Sequence, residues 1–197
     1  MAAKARLLAL GFCVATGIGG TALAQGVPLD ARLKERLMQC GACHGADGNS
    51  LIENIPSLAG QPEFFVMNQL FLMREGVRRV EAMVPFVRDL KDDELQGLAA
   101  HYSRLAPRAS AETVDGALAR RGETLATALR CGSCHLPSMV GQDQMPRLAR
   151  QRIDYLIHSL KAFRDNRRPG ADTLMSATVA GVSDQDLAAL AHFAASR

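Results

Sequence analysis

The residues best suited to chemistry are two copies of one short motif, Cys-x-x-Cys-His, in a chain of 197 residues. The first copy runs from Cys40 to His44 and the second from Cys131 to His135. Cysteine pairs at this spacing bind zinc, form redox-active dithiols, or form thioether bonds to the vinyl groups of a haem. The His that directly follows each pair favours the haem, because its imidazole is placed to reach the iron.

The main competing interpretation is one zinc site made from both cysteine pairs. Such a site would not require a His after each second Cys, and it would not explain why the downstream segments also resemble each other. The sequence therefore predicts two covalently bound c-type haems, with His44 and His135 as ligands to the iron. The cysteines predicted to form the thioether bonds are Cys40, Cys43, Cys131 and Cys134.

The two halves of the chain also match beyond the haem motifs. The segment at 56–61, Pro-Ser-Leu-Ala-Gly-Gln, matches Pro-Arg-Leu-Ala-Arg-Gln at 146–151. Met83 and Met175 hold matching places before the last helical segment of each half, where we expect loops. These two methionines are the candidates for the sixth iron ligand, because a thioether on the distal side stabilises ferrous iron. A single repeat of this length predicts two similar domains rather than a solenoid.

The elements that position these residues are predicted to be helices. Apolar spacing and end signals indicate a helix before each haem motif, one in the middle of each half and one at its end. The predicted ranges are 29–39, 62–75, 92–105, 115–130, 152–166 and 184–196. No convincing alternating strand pattern is present, so the predicted fold class is all-α. The expected domains are 25–106 and 115–197, joined by a linker at 107–114 where Pro107 interrupts the helical pattern.

Residues 1–24 have the pattern of a cleaved signal peptide. Lys4 and Arg6 precede a short apolar run, and Ala22-Leu23-Ala24 supplies small residues for cleavage. The run is short for a membrane span and contains glycines, so we expect export to the periplasm and a soluble or peripherally membrane-associated chain. Cleavage would also remove Cys13 and bring the net charge, +3 for the whole chain, closer to zero. This composition gives no support for nucleic-acid binding.

The tandem motifs, the matched Pro and Met residues, the export signal and the segment at 56–61 together resemble the cytochrome c4 family. The resemblance covers nearly the whole chain after the signal peptide. It implies two tandem class I cytochrome c domains, each a small helical bundle wrapped around one haem. It also implies that Pro56 and Pro146 offer their carbonyls to the proximal histidines. The second half departs from the pattern at Leu136-Pro137 and at Arg150, which predicts that the two haems are not equivalent.

The resemblance further implies an electron carrier rather than an enzyme, with single electrons passed between redox partners such as a terminal oxidase, a reductase or a dehydrogenase. The alternative is a cytochrome subunit of a periplasmic dehydrogenase, such as flavocytochrome c sulfide dehydrogenase. A third hypothesis is an enzyme, a di-haem peroxidase, which would need one iron with a coordination position that can open for peroxide. Four arginines lie at matching places before the candidate methionines. A solvated loop is the simplest interpretation, and the alternatives are neutralisation of haem propionates or a docking patch for an acidic partner. The four arginines are Arg78, Arg79, Arg167 and Arg168.

Overall fold

The computed structural model describes residues 31–170 and 173–197. The predicted signal peptide at 1–24 therefore lies outside the described residues. Over the described ranges the regular structure is helical, and the extended pairing consists of one isolated bridge between Gln142 and Met145. The prediction of an all-α fold is confirmed.

The helices of the two halves follow the same order. The first half contains α1 (Ala31–His44), α2 (Glu63–Arg74), α3 (Val84–Val87) and α4 (Asp92–Ser103), with a 3-10 turn at Glu81–Met83 before α3. The second half contains α5 (Gly116–Ala128), α6 (Gly132–His135), α7 (Ile153–Arg164), α8 (Thr173–Thr178) and α9 (Asp184–Ala195). In the first half α1 and α2 pack on α4, and in the second half α5 and α7 pack on α9. Each half is thus a small bundle built around its last helix.

Side-chain caps place the helix starts where the sequence predicts them. The Ser183 hydroxyl accepts a hydrogen bond from the Asp186 N–H at 3.1 Å, which caps α9. The Asp115 carboxylate accepts from the N–H groups of Ala117 and Leu118 at 2.7 and 3.0 Å, which caps α5. These bonds satisfy backbone donors that the first turn of a helix leaves without partners.

The apolar interior is divided between the two halves. The first core contains Leu33, Val87, Leu90, Leu95, Leu98 and Tyr102. The second core is centred on Leu187, Leu190 and Phe193 of α9, with Ala126, Met139, Ala149 and Val179 around them. Because each cluster draws its buried residues from one half, each half has its own hydrophobic core, as expected for two domains.

The segment that joins the halves is hydrogen-bonded to both of them. The Arg108 N–H donates to the Asn49 side chain at 2.8 Å, on the first half. The Glu112 carboxylate accepts from the N–H groups of Ile153 and Asp154 at 2.8 and 3.0 Å, on the second half.

Over the described ranges, no helix combines the length and apolar character that a bilayer crossing needs.

Candidate haem sites

Each predicted iron-binding His is held by a backbone carbonyl from a later loop. His44 Nδ1 lies 2.8 Å from the Pro56 oxygen, and His135 Nδ1 lies 2.9 Å from the Pro146 oxygen. Because a carbonyl only accepts, each Nδ1 carries the proton and each Nε2 keeps its lone pair. The contacts that the family resemblance implied for these prolines are therefore present, and both rings are set in the tautomer that binds a metal through Nε2.

The two imidazoles are buried as neutral ligands. His44 and His135 are 6% and 4% exposed. Burial lowers the pKa of both rings below the ordinary imidazole value, although the proline carbonyls act in the opposite direction. His135 Nε2 is fully buried and has no hydrogen-bond partner among the described residues. A buried acceptor without a donor is costly, so this atom fits a site where Nε2 binds iron.

The cysteines do not have the properties of the competing sites. Burial raises the pKa of Cys40 and of Cys131, whereas a reactive dithiol needs a lowered thiol pKa. Over the described ranges, no three His, Cys, Asp or Glu side chains come together as a possible metal site, so the two cysteine pairs do not combine around one zinc. Both pairs remain free to form thioether bonds.

Each candidate methionine packs against the same hydrophobic core as the first cysteine of its own motif. Met83 and Cys40 both pack against the first core, and Met175 and Cys131 both pack against the second. The sequence prediction that these methionines lie in loops is wrong in detail. Met83 ends the 3-10 turn and Met175 lies inside α8. A short helical turn fixes the backbone more firmly than an open loop would.

The backbone around the second motif differs from that around the first. Helix α1 continues through Cys40 to His44 without a break. In the second half Arg130 adopts a φ of 56°, which ends the helical path and leaves the motif on the separate helix α6. After the His, Leu136 adopts a φ of 63° where the first half has Gly45 at 85°. Both sites thus have a positive φ directly after the His, but in the second site a leucine adopts it at a steric cost.

The four arginines before the methionines separate into two kinds. Arg79 and Arg167 are exposed and pair with Glu81 and Asp165 at 2.5 and 2.9 Å. Arg78 and Arg168 are half-buried and approach the Gln69 side-chain oxygen from the two halves at 2.6 and 3.5 Å. Among the described residues, no carboxylate lies within ion-pair distance of either half-buried guanidinium.

A tyrosine at the same contact was not anticipated from the sequence. Although burial raises its pKa, the nearby charges of Arg168 and Arg78 lower the pKa of Tyr155 to about 8. The buried guanidinium of Arg147 lies at the same boundary between the halves and donates to the Ala59 carbonyl at 2.7 Å. These residues make the boundary strongly cationic, which suits a group that carries negative charge.

Comparison with known proteins agrees with this arrangement. The family described as "Cytochrome C oxidase, cbb3-type, subunit III" matches residues 31–101, and the family described as "Cytochrome c" matches residues 119–196. Cytochrome c4 of Stutzerimonas stutzeri is 36% identical over 90% of this chain and 92% of its own. A thiosulfate dehydrogenase electron acceptor of Thiomonas intermedia is 33% identical over 80% of this chain and 78% of its own. The crystal structure of reduced recombinant cytochrome c4 from Pseudomonas stutzeri has a TM-score of 0.75 and 34% identity, over 84% of this chain and 97% of its own.

Two helical domains, each with a Cys-x-x-Cys-His motif and a carbonyl-oriented buried His, define a di-haem c-type cytochrome. With these similarities over almost the full length, the chain belongs to the cytochrome c4 family. It carries two c-type haems and transfers electrons.

Proposed function

We propose that this chain is a periplasmic carrier that moves single electrons between redox proteins and has no catalytic site of its own. The observation that carries the proposal is the duplicated His–Pro contact, which orients one imidazole in each domain to bind an iron. Export is supported by the signal-peptide pattern of residues 1–24. The domain limits proposed are 25–106 and 115–197, with the linker at 107–114.

The assigned roles follow the duplication. The covalent attachment residues are Cys40, Cys43, Cys131 and Cys134. His44 and His135 would each bind one iron on the proximal side, and Met83 and Met175 would each supply the second protein ligand. When bound, each haem iron accepts and releases one electron. With two protein ligands, each iron would have no open position for a substrate, and the chain's residues would orient the haems, exclude water and set the potentials.

The half-buried arginines have a place in this scheme. We assign Arg78 and Arg168 to the haem propionates, because both are cations without a carboxylate partner among the described residues. Buried charges in proteins are normally paired, and a propionate supplies the missing charge. Arg79 and Arg167 already have acidic neighbours and are exposed, so they are not assigned to the haems.

A redox titration tests the distal ligands. Met83→His should lower the potential of one haem and Met175→His that of the other, because imidazole stabilises ferric iron better than a thioether does. Met73→His is the control, since Met73 packs against the same core as Met83 but lies in α2. If Met73→His lowers the potential of the N-terminal haem while Met83→His leaves it unchanged, the assignment of Met83 is wrong.

A second candidate function is electron acceptor for one dedicated dehydrogenase. The observation that favours it is the 33% identity to a protein named as a thiosulfate dehydrogenase electron acceptor. Purification of the native protein separates the two candidates. A chain that elutes alone supports a free carrier, whereas constant co-elution with a dehydrogenase chain supports a dedicated subunit.

A further inference from the structure

The two domains exchange a matched pair of glutamine side chains. Gln151 donates to the Ser57 carbonyl and accepts from the Ser57 N–H, both at 2.8 Å. Gln61 donates to the Arg147 carbonyl at 2.9 Å and accepts from the Arg147 N–H at 3.0 Å. Because Gln61 and Gln151 are equivalent in the repeat, as are Ser57 and Arg147, the arrangement has an approximate two-fold symmetry. We call these four hydrogen bonds the glutamine clamp.

The clamp is enclosed and fully bonded. Gln61 and Gln151 are 4% and 2% exposed, so neither side-chain amide can replace these bonds with hydrogen bonds to water. Each amide binds one N–H and one carbonyl of the same residue, and the Gln151 oxygen also accepts from the Arg152 N–H at 3.0 Å. Only one orientation of each amide's oxygen and nitrogen satisfies these bonds. Loss of either side chain would leave a buried backbone donor and acceptor without partners. Unpaired buried polar groups lower the free energy of unfolding.

The clamp acts on the peptide groups that orient the proximal histidines. The carbonyl of Pro56 and the N–H of Ser57 belong to one peptide unit, which binds His44 at its oxygen and Gln151 at its nitrogen. In the other domain, the unit formed by Pro146 and Arg147 binds His135 in the same way and reaches across to Gln61. Each proximal His is therefore linked through one peptide group to a glutamine of the opposite domain.

Hydrogen bonds in such a chain strengthen each other. An acceptor on the N–H side polarises the peptide and makes its carbonyl a better acceptor for the imidazole Nδ1–H. A stronger bond at Nδ1 makes Nε2 more electron-donating, which stabilises ferric iron and lowers the potential. We propose that Gln61 and Gln151 are positioning residues that tune the haem of the opposite domain, so that contact between the domains sets both potentials. This inference rests on the proposed proximal roles of His44 and His135.

The test is a redox titration of the haem-loaded protein with Gln151→Leu and Gln61→Leu. Haem-specific hyperfine NMR resonances, assigned through contacts to residues of each domain, tell the two haems apart. Gln151→Leu should raise the potential of the N-terminal haem, and Gln61→Leu that of the C-terminal haem. The expected change is about two- to fivefold in the ferric/ferrous equilibrium, or about 20–40 mV at roughly 59 mV per tenfold for one electron. Gln144→Leu, on an exposed residue of the second domain, should change neither potential.

A second variant keeps the test decisive if a leucine variant fails to fold. Gln151→Glu retains an oxygen that faces the Ser57 N–H, and when titrated at a pH that ionises this buried carboxyl it should lower the potential of the N-terminal haem. Equal shifts of both haems in every clamp variant, or a shift confined to the haem of the mutated domain, would overturn the proposal. Haem content and the absorption that reports Met ligation are recorded on the same samples. If the wild-type protein lacks two Met-ligated haems, the proposed function fails, whereas normal haems without a crossed shift refute the clamp alone.

Discussion

The contact between α5 and α9 offers the sharpest test of how the C-terminal domain is held together. A Cβ atom added to Gly122 of α5 would lie 2.0 Å from the Ala189 carbonyl oxygen and 2.7 Å from Phe193 Cβ. The atom in the way belongs to the backbone of α9, so no side-chain rotation relieves the contact. Carbon–oxygen contacts settle near 3.3 Å, so Gly122→Ala must separate the helices by roughly 1 Å.

The expected cost follows from two opposed effects. Over-packing of a tight interior costs about 3 kcal/mol when the backbone itself must shift, and a separation near 1 Å weakens the surrounding dispersion contacts. Alanine is better than glycine inside a helix by about 1 kcal/mol. We therefore expect Gly122→Ala to destabilise the C-terminal domain by about 2 kcal/mol. The loss of stability should extend to the second haem motif, because that motif follows α5 directly.

Hydrogen exchange measured by mass spectrometry localises the effect. Peptides from α5 and α9 should exchange about 30-fold faster in Gly122→Ala, since 1.4 kcal/mol corresponds to a factor of ten. Peptides from α1 and α4 should be unchanged. Gly116→Ala is the matched control on the same helix, because its added Cβ would meet only Arg120 Nη1, at 3.5 Å. Exchange in Gly122→Ala that is unchanged or slower than in the wild type would refute the packing argument.

Three further outcomes are expected. Arg168→Gln should lower the haem potentials by about 1 kcal/mol per electron, the order expected for a half-buried charge at an effective dielectric constant near 20, whereas Arg167→Gln should not; equal titration curves would contradict the propionate assignment. Burial raises the pKa of Glu94, but the Lys91 N–H and Arg36 bring that pKa below its ordinary value, so its stabilisation is complete above about pH 4.5 and lost as the pH falls further; acid unfolding should be shallower in Glu94→Gln. Leu136, at φ 63° and ψ 155°, lies in a region that suits glycine, so Leu136→Gly should stabilise the second domain by about 1 kcal/mol in thermal unfolding, after the entropic cost of glycine is subtracted.

The helices were predictable because their signals are local. Ser183 and Asp186 mark the start of α9 in the sequence, and the hydrogen bonds between them are present in the structure. The proline contacts to His44 and His135 were also expected, since the family resemblance supplies a pattern that the chain repeats. In both cases the partners lie within one domain and at a set distance along the chain.

The features that escaped prediction depend on backbone choices or on the other domain. Arg130 follows α5 with a positive φ, and the residue type does not predict this conformation because arginine has no preference for it. The glutamine clamp joins residues that are far apart in sequence and meet only when the domains are placed. The departure at Leu136 was visible in the sequence, but the sequence did not show that Leu136 would adopt a positive φ, as Gly45 does in the first half.

The clamp explains why one position of the two matched segments can differ. Ser57 and Arg147 are the matched residues that the glutamines grip, and they share neither size nor charge. The grip uses only their backbone N–H and carbonyl groups, so their side chains are free to differ without loss of any of the four bonds. Gln61 and Gln151 supply the bonds through their side chains, and there the two halves are identical. A segment that holds its own domain's His and binds the opposite domain can therefore vary at this position without losing a clamp bond, and the Arg147 side chain uses that freedom for a separate bond to the Ala59 carbonyl.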